Sequence, residues 1–130
     1  MRSLALIAAV PMLMQSCEKE AETASDIPSG FNHSLFETLD DVMPDGKRVM
    51  RLRYVAEDMT AEDHQKVAED FAALCARDAL PRQAEAQPPY DQAVISLANK
   101  KSEFGVFNPD VTQYFEAFTL ENDTCIWEAF

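Results

Sequence analysis

Val111–Phe130, VTQYFEAFTLENDTCIWEAF, admits two readings, and the choice between them sets the fold class. Val111, Tyr114, Phe115 and Phe118 fall on a helical stripe behind Asn108-Pro109, an acceptable helix start. Against that, Thr112, Tyr114, Phe115, Phe118 and Thr119 are β-branched or aromatic. Glu121-Asn122-Asp123 is a good hairpin turn, and Cys125-Ile-Trp-Glu-Ala-Phe130 is a natural returning strand. The hairpin accounts for more of these residues, so two antiparallel strands are expected. With a three-residue turn, Glu116 would stand opposite Glu128, a repulsive pair unless a cation sits beside it.

Upstream of the hairpin, Ala93-Val94-Ile95-Ser96-Leu97 is an apolar, partly β-branched run and reads as a buried strand. Residues 82–91, RQAEAQPPYD, read as a loop, because Pro88-Pro89 forbids regular pairing. Thr60-Ala-Glu-Asp63 caps a helix expected over residues 61–80, with Val67, Phe71, Leu74, Cys75 and Asp78 at helical spacing, Phe71, Leu74 and Cys75 inward, and Leu80-Pro81 closing it. Lys47–Val55 alternates, Met50, Leu52 and Tyr54 on one face and Arg51 and Arg53 on the other, as a strand with one wet face does. Ser34-Leu-Phe-Glu37 has capping-box spacing, and Leu35, Phe36, Leu39, Val42 and Met43 share a helical stripe, so residues 34–43 read as a short helix ended by Pro44-Asp45-Gly46. The sum is an α+β domain over residues 31–130, an antiparallel sheet of about four strands with one main helix packed on one face.

The N-terminus carries an address. Residues 1–16, MRSLALIAAVPMLMQS, hold one cation and an apolar run too short for a hydrocarbon core of about 30 Å, and they end in a small residue before Cys17. This is the pattern of a lipoprotein signal peptide. Cys17 would then become a thioether to diacylglycerol, and several acyl chains would anchor the protein to a membrane. Residues 17–30, polar and mostly acidic up to a Pro-Ser-Gly break, read as a flexible lipid-anchored tether. The competing reading is a plain secretory peptide cut near Thr23-Ala24-Ser25, which would release a soluble secreted domain.

Net charge is −12, and after residue 16 there remain 23 acidic residues against ten basic ones. That balance argues against nucleic acid, whose binding depends on cationic contacts to phosphate. His33 and His64 are the only imidazoles and match no HxxxH or HExxH spacing, so no metal is expected. Glycines stand only at 30, 46 and 105, which excludes a phosphate-cradling loop, and no cofactor or catalytic residue is expected. Cys75 and Cys125 in an exported protein are most simply a disulfide; a redox or nucleophilic thiol is the weaker reading without a CxxC pair.

Four cations, Lys47, Arg48, Arg51 and Arg53, crowd into seven residues of an acidic chain. Either Arg51 and Arg53 neutralise Glu116 and Glu128 across adjacent strands, or the stripe joins Tyr114, Phe118, Ile126 and Phe130 in a half-apolar recognition surface. The candidate binding residues are therefore Arg51, Arg53, Tyr114, Glu116, Phe118 and Glu128.

LCARDALP, VISL followed by SEFG, and TQYFEAFTLENDTCIWEAF together resemble a family of small exported alphaproteobacterial proteins catalogued only as a domain of unknown function. The resemblance covers about residues 30–130 and implies that Cys75 and Cys125 correspond to the family's paired cysteines. It implies no activity or ligand. The expected function is a membrane-tethered periplasmic module that binds or helps assemble an envelope protein, at the inner or the outer membrane. The alternatives are a small ligand-binding or hydrolytic periplasmic protein with a pocket under Pro88-Pro89, and a plain secreted domain.

Overall fold

The structure, a computed structural model, describes residues 27–129. The signal peptide, Cys17, most of the expected tether and Phe130 lie outside the described residues. Five strands form one sheet in the order β1 (Ser34–Val42), β2 (Arg48–Val55), β3 (Gln92–Ala98), β4 (Gln113–Glu121), β5 (Thr124–Glu128). The expected antiparallel sheet of about four strands is corrected here: β2 and β3 are parallel, and the other three pairs are antiparallel. A parallel pair needs a crossover along the length of the sheet, and the helical segment between β2 and β3 supplies it.

The extra strand is β1, which the sequence presents as a helix. Its pairing with β2 is irregular between Leu35 and Glu37, leaving Phe36 as the additional residue of a bulge. Before the bulge Leu35 pairs with Tyr54, and after it Thr38 and Asp40 pair with Leu52 and Met50. The bulge shifts the two-residue period by one, so apolar positions 35, 36 and 39 imitate helical spacing. Pro44-Asp45-Gly46 then makes the tight β1–β2 turn, with Gly46 at φ 92° and its amide donating to the Met43 carbonyl at 2.8 Å.

Thr60 caps as expected, but what it caps is a single 3-10 turn, Ala61–Asp63. After intervening turns the regular helix runs as α1 (Asp70–Leu74), a π-helical turn (Cys75–Ala79) and α2 (Leu80–Ala84). It therefore continues past Leu80-Pro81, where closure was expected. Pro81 has no N–H to donate and its ring would strike the carbonyl four residues back; the widened π turn before it relieves both conflicts.

One face of the sheet packs on this segment. Leu52, Tyr54, Ile95, Leu97 and Phe118 meet Val67, Phe71, Leu74 and Cys75, all buried. A disulfide joins Cys75 in the π turn to Cys125 in β5. The folded unit also begins earlier than residue 31: Ile27 is buried in the core, and Gly30 closes a turn back to it through its amide. Among the described residues no helix is long and apolar enough to cross a membrane.

Candidate binding face

Among the described residues no helix covers the second face of the sheet, whose map follows from strand alternation and register. In β2, Met50, Leu52 and Tyr54 point into the core, so Val49, Arg51 and Arg53 take the opposite side. Register carries that side across the sheet as transverse rows. One row runs Leu39, Arg51, Val94, Ala117, Glu128; its neighbours run Val49, Gln92, Thr119, Ile126 and Glu37, Arg53, Ser96, Phe115.

Arg51 and Arg53 are held by carboxylates of β1. Arg51 Nε donates to Asp41 Oδ2 at 3.0 Å, and Arg53 Nη1 donates to Glu37 Oε1 while its Nη2 donates to Ser102 Oγ at 3.3 Å. The Phe104 ring centroid lies 5.3 Å from the Arg51 guanidinium carbon and 5.5 Å from that of Arg53, and the Phe36 ring centroid lies 5.0 Å from that of Arg53. Such stacking favours the cation electrostatically and fixes the plane of the guanidinium. At the far side of the sheet Glu128 Oε2 accepts from Gln92 Nε2 at 2.7 Å and from the Thr119 hydroxyl. The Thr119 hydrogen bond first, then that from Gln92 and the charge of Lys47, hold the Glu128 carboxyl below its ordinary value against a smaller opposing effect of burial.

Two concavities open on this face. One of about 560 Å³ is lined by Lys47, Val49, Arg51, Val94, Ala117 and Glu128 among others. The second, about 310 Å³, lies between Arg51, Arg53 and Phe115 and the loop carrying Phe104 and Phe107. The volumes fall in or near the range of ligand clefts, about 300–1,000 Å³. Phe107 is 87 % exposed and Phe115 56 %, with Val106 and Ile126 also open to solvent. These apolar side chains are exposed in an otherwise charged chain.

Several expected placements are corrected. The turn of the last hairpin has two residues, Asn122 and Asp123, at φ 53° and 62°. It sets Ala117, not Glu116, opposite Glu128. A register change of one residue exchanges faces. Tyr114, Glu116 and Phe118 consequently lie on the helix side: Phe118 is buried in the core, Glu116 accepts from Trp127 Nε1, and Tyr114 stacks on His64 with ring centroids 4.6 Å apart. Arg51 and Arg53 do not neutralise Glu116 and Glu128; their partners come from β1, the strand that reads as a helix. Of the candidate residues, Arg51, Arg53 and Glu128 share the open face, joined by Ile126.

The Pro88-Pro89 segment is fastened down, with Arg48 Nη1 donating to both proline carbonyls and its guanidinium lying 4.3 Å over the Tyr90 ring. Phe104, Phe107 and Phe115 are functional candidates that sequence reading passes over. Their signal is Phe104-Gly-Val-Phe107, large apolar residues in a loop without a strand or helix pattern to bury them. Also unforeseen is a buried polar cluster: Asp70 accepts from the Ser29 amide at 2.9 Å, from the Ser29 hydroxyl, and from His33 Nε2 at 2.8 Å. It pins the N-terminal segment to the start of α1. Among the described residues no three His, Cys, Asp or Glu side chains gather as a metal site.

Residues 8–130 match a family described as a family of unknown function (DUF6497). No curated protein and no solved structure matches this chain.

Proposed function

The chain belongs to that family of unknown function, and from this premise we propose that it is an exported, lipid-tethered binding module that holds an envelope component on the open face of its sheet. The observation that supports this reading most is the asymmetry of the sheet. One face is covered by the helix, while the other carries stacked arginines, two concavities and exposed Phe107, Phe115 and Ile126. Apolar side chains gathered beside stacked arginines on one face suit a partner surface. Export and anchoring are supported by the Arg2 and apolar leader ahead of Ser16-Cys17 and by a disulfide, which suits an oxidising compartment.

The test is crosslinking in the intact cell from a photoreactive residue placed at Phe107 or Phe115, with Glu85 on the exposed end of α2 as the control position. A single species captured from the first two sites and not from Glu85 is expected. Equal capture from all three, or none, would overturn the reading of the face. Anchoring is tested separately. Inhibition of the lipoprotein-specific signal peptidase should accumulate precursor, and Cys17→Ala should release the protein from the membrane fraction.

A further inference from the structure

Resting on the open face as the binding face, we propose that its ligand is a short zwitterionic peptide lying across the strands, its carboxylate on Arg51 and its ammonium on Glu128. Arg51, Val94, Ala117 and Glu128 are successive partners in one transverse row, and all four line the same concavity of about 560 Å³. The row thus has a cation at one end, an anion at the other, and two small apolar side chains between them. A flat apolar floor between opposite charges suits an extended peptide better than a bulky or singly charged ligand.

Both charged ends retain unused capacity. A guanidinium carries five N–H donors in a fixed fork, and among the described residues Arg51 donates only through Nε, to Asp41. Its two Nη groups remain for a carboxylate, which an arginine fork takes in bidentate fashion. At the other end both hydrogen bonds to Glu128 fall on Oε2, leaving Oε1 for an ammonium. Gln92 and Thr119 fix the carboxylate that must receive it, so little side-chain ordering is left for the moment of binding.

The span agrees with the chemistry. Three inter-strand spacings of about 4.8 Å put the backbones of Arg51 and Glu128 about 14 Å apart. The Arg51 guanidinium bonds to Asp41 on β1 and the Glu128 carboxylate to Gln92 on β3, so the span between the charged ends stays at about 14 Å, of which a hydrogen bond of about 2.9 Å at each end leaves roughly 8 Å for the ligand. An extended chain of two or three residues, at about 3.3–3.6 Å each, bridges it. Asp45, Lys47 and Glu116 also border this concavity. With Asp41 paired to Arg51 the surroundings are net acidic, yet both signs face the concavity, so a simple anion or a simple cation satisfies one end only.

The experiment is calorimetric or NMR titration of the purified protein with the tripeptide Ala-Val-Ala, its N-acetyl form and its C-terminal amide. The free peptide should bind, and either cap should weaken it at least tenfold. In Arg51→Gln the amide should bind as the free acid does, and in Glu128→Gln the acetyl form should bind as the free amine does. Capped and free peptides binding alike, or no saturation by the free peptide at millimolar concentration, would overturn the proposal. The end-capped peptides decide the matter on the unaltered protein even if a variant misfolds. Continued crosslinking from Phe115 alongside absent peptide binding would remove this ligand class and leave the binding face standing; loss of both would remove the face as well.

Discussion

Asp70 illustrates how much a single buried carboxylate can organise. It is fully buried at the start of α1 and takes hydrogen bonds from Ser29 and from His33 Nε2, tying the incoming chain to the helix. Replacing it leaves the Ser29 amide and the imidazole without a partner in a dry site, the costly side of hydrogen-bond energetics. Asp70→Ala should therefore lower stability by about 3 kcal/mol in urea unfolding, and residues 27–33 should lose amide protection before the sheet does. Asp78 makes a second such link, accepting from the Tyr54 hydroxyl at 2.6 Å and from Arg77 Nη2 at 2.8 Å. Burial, the largest single effect, would raise its carboxyl, but the hydrogen bonds from Arg77 and Tyr54 together with the charges of Arg77 and Arg82 hold it below the ordinary value. A folded-state value below the unfolded one adds stability above the ordinary range, about pH 4, and that stability is lost as pH falls through the folded value. Melting of wild type and Asp78→Asn should accordingly differ at pH 7 and converge toward pH 2; a constant difference would refute the assignment.

Elements were legible where their period was uninterrupted. β2 displays strict alternation from Val49 to Tyr54, and β3 its apolar run, and both strands form as read. β1 was not legible, since one extra residue at Phe36 turns a two-residue period into an apparent helical one. The end of the helix was misread for a related reason: Pro81 normally closes a helix, but a π turn ahead of it removes the conflict. In the last hairpin, strand identity was readable while turn length was not, and turn length alone decided which side Glu116 and Phe118 would take. Asn122 and Asp123 both adopt left-handed backbone, which glycine tolerates better than aspartate. Asp123→Gly should raise stability by about 0.5–1 kcal/mol, measured by thermal melting. Asn122→Val, β-branched at positive φ, should lower it and broaden the β4–β5 amide signals.

Over the whole fold, the disulfide is the covalent tie between layers. Cys75 and Cys125 are 50 residues apart and join the helical layer to the edge strand β5. Closing a loop of roughly 50 residues restricts the unfolded chain by about 4 kcal/mol on the loop-entropy estimate. For a small domain with a total stability of about 5–15 kcal/mol, this is a large fraction. Cys75→Ala/Cys125→Ala should shift the urea midpoint downward by a corresponding amount, and reductant should produce the same shift in wild type and none in the double variant.

Local pattern was enough for the α+β class and the inward stripe of Phe71, Leu74 and Cys75, because periodicity acts within short stretches of chain, and with two cysteines in residues 27–129 only one pairing was open. Which carboxylates meet Arg51 and Arg53, and which aromatic residues share their face, depended on strand order and on registers that a bulge and a two-residue turn each displaced by one position. Pleated strands exchange faces with every such step. The composition of the open face is thus a property of the assembled sheet, in which Arg51 and Glu128, 77 residues apart in the numbering, come to end one row.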